Sequence, residues 1–352
     1  MLSRSIVRWL APLALCLAVL VDAGAPRAED AAQVAAGAAL YEKYCALCHG
    51  AQAQGYAADN APSLVSPEFL SAADDRFLVA SIALGRPGTA MAAYGVELGG
   101  PLHEAEMAQL VAFLRSRGPA ATALTPPQGG SAKRGAALYA RSCSSCHGDR
   151  RSHGTAPHLA NATFLALASD AFLYDAIARG RDGTPMKAYA GELDQEQIAD
   201  LVAYLRSWAD NSAAVRAATV NVPPPAGPIV LNPDGASAEL ALRDDRFVAA
   251  DDVKRMLDEK RRIVIVDARA TSDWQRERIE GAISVPYYAL AGLDRIPNDG
   301  TWVVAYCACP HHASGVVVDE LRRRGYPHAA VLDEGIRVWS ERGYPVTRAA
   351  GG

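Results

Sequence analysis

One five-residue pattern occurs twice in this chain and constrains what the chain can fold around. The pattern C-x-x-C-H reads CALCH at residues 45–49 and CSSCH at residues 143–147. Two thiols three positions apart can each form a thioether with a haem vinyl group, and the histidine that follows reaches the iron from the same side. The sequence therefore predicts two covalent haem c groups. The predicted attachment residues are Cys45, Cys48, Cys143 and Cys146, and the predicted iron ligands are His49 and His147.

The two copies of this pattern lie within a longer duplication. The segment GAALYEKYCALCH at residues 37–49 matches GAALYARSCSSCH at residues 135–147, and LVAFLRS at 110–116 matches LVAYLRS at 201–207. Each copy has fewer than about a hundred residues, which is small for an independent hydrophobic core. A bound haem would supply the missing apolar centre of each copy.

A further match between the copies predicts the second axial ligand of each iron. GRPGTAMAAYG at residues 85–95 matches GRDGTPMKAYA at residues 180–190, so Met91 and Met186 hold the same position after a glycine-rich turn. A methionine thioether opposite histidine is usual in electron-transfer haems and raises the reduction potential. We expect Met91 to bind the first iron and Met186 the second.

Several other methionines and histidines fit ordinary structural positions. Met107 and Met256 lie in helical patterns, which favour packing. Three histidines, His103, His153 and His158, have no counterpart in the other copy. We expect these three to be loop or surface residues.

Two further pairs of matched residues fit the surroundings of a haem. Pro62 and Pro157 stand in APSL and APHL, where a carbonyl could accept a hydrogen bond from the ring of the ligand histidine and orient it. Arg86 and Arg181, in the two GR dipeptides, could pair with haem propionates. The alternative for both arginines is a solvated surface charge.

The repeats resemble class I cytochrome c domains. The resemblance rests on YxxxCxxCHG, the AP-x-L segment, GR-x-GT-x-M and the closing LVAYLR helix, and it covers residues 33–118 and 131–210. It implies small all-α domains of four or so helices around a haem, and electron transfer as their function. Every ligand position is present, so haem catalysis at an open coordination site is the weaker interpretation.

The N-terminus is typical of a secretory signal. Arg4 and Arg8 precede an apolar stretch at residues 9–21, which is short for a membrane span of about 20 residues. We expect residues 1–28 to be a signal peptide, with an uncleaved anchor as the alternative. Export together with haem c resembles a periplasmic protein of a Gram-negative bacterium.

Cysteine use and charge argue against a disulfide-stabilised protein and against a nucleic-acid-binding protein. Outside the predicted signal peptide the chain has only Cys307 and Cys309 besides the four haem cysteines, so no disulfide framework is expected. The net charge is −4, and no long basic run suggests nucleic acid.

Composition and pattern divide the chain into three domains. The expected domains are a cytochrome c domain at 31–118, a second at 131–210 and an α/β domain at 241–348, joined by linkers at 119–130 and 211–240. The second linker contains VPPPAGP, which is typical of extended, semi-rigid sequence.

The third domain alternates between strand and helix patterns. Apolar runs at residues 262–270, 301–307 and 329–335 are typical of buried strands, and helical patterns lie around and between them. Such alternation predicts a mostly parallel sheet. The whole chain is therefore expected to be a multidomain protein with two all-α domains followed by an α/β domain.

The loop after the second of these strands carries the remaining thiols. It reads CACPHHAS at residues 307–314, between a buried strand and a helix. Ligand sites of parallel sheets lie beyond the carboxyl ends of the strands, where a helix N-terminus stabilises an anion or a thiolate. Cys307 is the candidate catalytic nucleophile, with Cys309 as a second candidate thiol. The alternative is a buried structural cysteine.

The third domain resembles a rhodanese domain. The resemblance rests on VDAR, IEGAISVP, YC before the loop and LDEGIRVWSERGYPV, within residues 245–346. It implies sulfur transfer through a Cys307 persulfide. The chain departs from the usual pattern in a longer loop without arginine, in His311 and His312 there, and in Glu334 where glycine is usual.

Three functional hypotheses follow. The first is a dihaem electron-transfer protein whose third domain loads sulfane sulfur from a small sulfur compound. The second is a pure electron carrier whose third domain is a non-catalytic docking module for a donor dehydrogenase or a terminal oxidase. The third is a redox-sensing or soft-metal site formed by the CAC thiols with His311 and His312.

Overall fold

A computed structural model describes residues 28–58, 60–209, 227–308 and 311–349. The predicted signal peptide, except its last residue, lies outside these ranges, as do Cys309 and much of the proline-rich linker. None of the helices in the described ranges combines the length and apolar character that a membrane crossing needs.

Each haem-motif copy folds as the same series of five α-helices, which confirms the all-α prediction. The first copy has α1 (Ala28–Tyr44), α2 (Ala46–His49), α3 (Pro67–Ala72), α4 (Asp75–Leu84) and α5 (Glu104–Arg115); the second has α6 (Ala132–Ser142), α7 (Ser144–His147), α8 (Ala162–Leu167), α9 (Asp170–Arg179) and α10 (Gln195–Arg206). Short polar caps begin matching helices. Ser66 and Asn161 each accept a backbone N–H bond at the start of α3 and α8.

In each copy the first and last long helices cross at a glycine. A Cβ on Gly37 of α1 would lie 1.9 Å from the carbonyl oxygen of Gln109, and one on Gly135 of α6 would lie 2.0 Å from that of Asp200. Both distances are far shorter than two non-bonded atoms can approach. The glycine that opens each GAALY segment is therefore required for the close approach of the two helices.

This crossing predicts that Gly37→Ala destabilises the first domain. The added methyl group must push α1 away from the α5 backbone, and such overpacking costs about 1–3 kcal/mol or more. Thermal unfolding of the holoprotein should show a transition at lower temperature. Gly191→Ala is the control, since no atom lies within 4 Å of a Cβ there. Equal transitions in the two variants would contradict the close crossing.

The two helical domains pack against each other through matching residues of the two copies. Phe77 and Phe172, at matching positions of α4 and α9, stack with ring centroids 4.8 Å apart. Arg86 lies over Phe164 of the second copy, and Arg181 lies over Phe69 of the first. A single hydrophobic cluster runs through both copies, so the duplication folds as a pair.

The third domain is an α/β unit with a parallel main sheet, as predicted. Its strands are β1 (Phe247–Val248), β2 (Ile263–Asp267), β3 (Glu277–Ile279), β4 (Ile283–Ser284), β5 (Trp302–Tyr306), β6 (Ala329–Leu332) and β7 (Val346–Arg348). The main sheet has the order β1-β6-β5-β2-β4 with every pair parallel, and β3 and β7 form a separate antiparallel pair.

Helices cover both faces of this sheet. One face carries α11 (Ala250–Asp258), and a later helix, α14 (Gly335–Glu341), lies on the same face; the other face carries α13 (His312–Arg323). The remaining helix, α12 (Thr271–Arg276), follows β2 at the carboxyl edge. Two apolar clusters, one on each side, bury the alternate residues of the central strands: Ile263 and Ile265 face one side and Val264 and Val266 the other. This burial on both faces explains the continuous apolar runs in the sequence.

Candidate functional sites

In the first copy, the histidine of the C-x-x-C-H pattern is held by the predicted proline carbonyl. His49 ends the single turn α2, is 8% exposed, and its Nδ1 lies 2.8 Å from the carbonyl oxygen of Pro62. A carbonyl only accepts, so Nδ1 carries the proton and Nε2 keeps its lone pair. Burial lowers the pKa of His49, which favours the neutral imidazole that binds a metal.

The second copy repeats this arrangement. The Nδ1 atom of His147 lies 2.8 Å from the carbonyl oxygen of Pro157, and burial lowers the pKa of His147. The surroundings differ, however. His147 is half-buried where His49 is buried, and Cys146 is exposed where Cys48 is half-buried.

The two methionines lie on loops of the same construction. In the first copy the Arg86 N–H donates to the Met91 carbonyl at 2.7 Å, and the Met91 N–H donates to Thr89 Oγ1 at 3.1 Å. In the second copy Arg181, Thr184 and Met186 make the same bonds, at 2.8 and 3.1 Å. Met91 packs in the same apolar cluster as Cys45.

The two methionines expected to pack are buried, and the three histidines without a counterpart lie in a loop or at a helix end. Met107 and Met256 are 4% and 2% exposed and pack in separate cores. His103 is the N-cap residue of α5, and its backbone N–H donates to Glu106 Oε2 at 2.8 Å. The ring centroids of His153 and His158 lie 4.2 Å apart in the loop after the second C-x-x-C-H pattern.

The guanidinium groups of Arg86 and Arg181 indicate whether each copy fits a haem. Arg86 donates to Gly85 O and Ser81 Oγ, and Arg181 donates to Gly180 O. Within the described ranges neither forms an ion pair with a carboxylate, and burial lowers the pKa of each to about 10. Both are partly buried rather than solvated. A propionate would offset the cost of such desolvation, so the side chains fit a haem in both copies.

Cys307 lies where the sequence predicts, directly after β5 at the carboxyl edge of the sheet. It is 2% exposed, and its Sγ lies 3.3 Å from the hydroxyl oxygen of Ser314, the third residue of α13. The Cys307 carbonyl accepts from the Ile336 N–H at 3.0 Å. A thiol beside the first turn of a helix is placed where its anion is stabilised.

The histidines of this loop occupy different positions. His311 has a left-handed backbone (φ 90°), its ring lies 4.1 Å from that of Phe247, and its Nε2 lies 2.7 Å from Asp333 Oδ1. His312 begins α13, and its buried Nδ1 has no hydrogen-bond partner among the described residues. Asp333 was missed as a neighbour of the loop, although it stands in the LDEG segment.

The other motif residues of this domain are structural. Asp267 and Arg269 of VDAR form a buried ion pair at 2.6 Å, and Tyr306 donates to the same carboxylate at 2.7 Å. Glu334, which stands where glycine is usual, accepts the Ala250 N–H at 2.8 Å and so caps α11.

The described ranges contain no group of three or more His, Cys, Asp or Glu side chains arranged to hold a metal ion. Cys309, the second thiol of the soft-metal hypothesis, lies outside those ranges. That hypothesis stays a prediction.

Comparison with protein families agrees with the division into repeats and a third domain. Residues 32–114 and 130–205 match the family of cytochrome c oxidase, cbb3-type, subunit III, and residues 249–342 match the rhodanese-like domain.

Similar curated proteins cover the repeated half of the chain. The cbb3-type cytochrome c oxidase subunit FixP of Bradyrhizobium sp. (strain ORS 278) is 31% identical over 183 residues, which are 49% of this chain and 60% of that protein. The subunit CcoP of Azospirillum sp. (strain B510) is 28% identical over 193 residues, 49% of this chain and 62% of that protein. The chain thus spans about three-fifths of these relatives.

Solved structures are similar to portions of this chain, with TM-scores below 0.5. A thiosulfate sulfurtransferase from Pseudomonas aeruginosa is 30% identical, with a TM-score of 0.27, over 30% of this chain and 20% of that one. A chain of the Kuenenia stuttgartiensis reducing HAO-like protein complex is 20% identical, with a TM-score of 0.34, over 50% of this chain and 96% of that one.

Proposed function

We propose that the chain takes electrons from a small sulfur compound. It carries two cytochrome c domains with one covalent haem c each, together with a rhodanese-like domain. The observation that carries this proposal is Cys307 at the carboxyl edge of the sheet, beside the first turn of α13. In the same chain, each haem c supplies a one-electron acceptor. The proposed iron ligands are His49 with Met91 and His147 with Met186.

The proposed chemistry begins with sulfur transfer to Cys307. Its thiolate attacks the outer sulfur of thiosulfate, one S–S bond forms, the S–S bond of thiosulfate breaks, and sulfite leaves with the electron pair. Coupling of the Cys307 persulfide anion to a second thiosulfate anion forms another S–S bond and releases two electrons. Two electrons are what two haem c groups can hold, which is why this stoichiometry fits the chain.

The proposed location is the periplasm of a Gram-negative bacterium, where haem c is attached after export. The relatives are named as subunits of cbb3-type cytochrome c oxidases. We therefore propose that the electron acceptor is a redox protein such as a terminal oxidase. The proposed domains keep the predicted bounds of 31–118, 131–210 and 241–348.

The test is optical. Oxidised holoprotein mixed anaerobically with thiosulfate should develop the absorption band of reduced haem c, and Cys307→Ser should abolish that reduction because a hydroxyl cannot form a persulfide. Dithionite, which needs no persulfide, should reduce both proteins equally and serves as the control. Equal response to thiosulfate in both proteins, or none in either, would instead support the electron carrier with a docking or sensing domain.

A further inference from the structure

The rhodanese-like domain packs against the first haem domain through the carboxyl edge of its main sheet. Ala270, which follows β2, is 2% exposed within the core cluster of the first haem domain. Ser272 Oγ donates to the Ala93 carbonyl at 2.6 Å, and the Tyr288 and Tyr44 rings meet edge to face at 4.9 Å. The edge that carries the thiol therefore faces a haem domain.

A pair of tyrosines, the buried Tyr94 and the half-buried Tyr287, joins the two domains at this interface. Tyr287 donates its hydroxyl to the Tyr44 carbonyl at 2.6 Å, and the Tyr94 hydroxyl oxygen lies 3.1 Å from both that carbonyl and the Tyr287 hydroxyl. The Tyr44 carbonyl belongs to the peptide unit of Cys45, a haem attachment residue. Tyr287 thus reaches across to the attachment loop itself.

Two further hydrogen bonds lead from Tyr287 to the thiol loop. The Tyr287 N–H donates to the Ala268 carbonyl at 2.9 Å, and the Ala268 N–H donates to the Tyr306 carbonyl at 2.9 Å. The Tyr306 carbonyl belongs to the peptide unit of Cys307. Three hydrogen bonds, through Ala268 and Tyr287, therefore connect the Cys307 peptide unit to that of Cys45.

The second haem domain has the same internal contact but no such cover. Tyr189, the counterpart of Tyr94, donates to the Ser142 carbonyl at 2.9 Å and has no other hydroxyl partner within the described ranges. Ala93 is 1% exposed, whereas its counterpart Ala188 is exposed. The residue is the same in both copies, so the packing of the third domain accounts for the difference.

We propose that the rhodanese-like domain is the built-in electron donor of the first haem domain, coupled to it by the Tyr287 hydrogen-bond path. The donor role rests on the proposed function, because it needs electrons from sulfur oxidation at Cys307. The domain interface does not, and the two are tested separately.

The interface is tested by placing the same substitution in both copies. Ala93→Lys forces a charged side chain into the contact, whereas Ala188→Lys adds one to an exposed edge. In the full holoprotein, amide hydrogen exchange of segments 92–95 and 286–289 should rise at least about tenfold in Ala93→Lys, the change expected for losing one buried hydrogen bond. It should stay unchanged in Ala188→Lys. Equal exchange in both variants would overturn the proposed interface.

The path is tested with tyrosine variants in stopped-flow reduction by thiosulfate. In the unsubstituted protein we expect electrons that follow this path to give a fast phase of haem reduction. Tyr287→Phe should lose that phase because the hydroxyl that contacts Tyr44 is gone, while Tyr189→Phe should keep it. A fast phase that survives in Tyr287→Phe overturns the path. Absence of thiosulfate-driven reduction in the unsubstituted protein overturns the proposed function and the donor role, while the exchange result still decides the interface.

Discussion

His49→Ala and His147→Ala are each expected to yield a protein with one haem instead of two. In each case the substitution removes the proposed iron ligand, the ring that the Pro62 or Pro157 carbonyl holds in place. Neither copy has enough chain for a large core of its own, so the affected domain should also lose helical structure. Haem and iron content per chain, with circular dichroism, measure both effects.

The control for these variants is His158→Ala. His158 lies in the same loop region as His147, but its ring contacts the Asp149 carbonyl at 2.8 Å and stacks on His153. This variant should keep two haems. Two haems with unchanged spectra in His49→Ala would mean that His49 is not a ligand.

Local sequence patterns predicted the elements that depend on local physics. The helices of the third domain follow from apolar periodicity, and its three long strands from buried β-branched runs. The helices of the haem domains were implied by the resemblance to class I cytochrome c domains, and the orienting role of the Pro62 and Pro157 carbonyls follows from their matched positions. The parallel sheet follows from the alternation of strand and helix. In each case the signal lies within one segment or is repeated in both copies.

Contacts between distant segments left no such signal. Tyr287 and Tyr44 are 243 positions apart, and although Tyr44 stands in the first haem-attachment segment, nothing in either local pattern indicates that the two residues meet. The stacking of Phe77 on Phe172 depends on how two whole domains pack. Glu334 illustrates a different limit: its departure from the usual glycine is explained by a cap on α11, a helix that begins 84 positions earlier in the chain.

Met91→His and Met186→His are expected to lower the potential of one haem each. Each substitution replaces the proposed thioether ligand, which would raise the potential, by a second imidazole. The expected fall is a few tenths of a volt, within the roughly 0.8 V range that axial ligands span. Redox titration of the holoprotein measures the shift. Met107→Leu is the control, because Met107 is buried in the first-domain core and should leave both potentials unchanged.

The two methionine variants also separate the haems in the electron order. If electrons enter at the first domain through Tyr287, lowering the first potential in Met91→His should suppress thiosulfate-driven reduction of both haems. Met186→His should still allow reduction of the first haem, because only the step from the first domain to the second becomes unfavourable. The reverse pattern would place the entry point at the second domain.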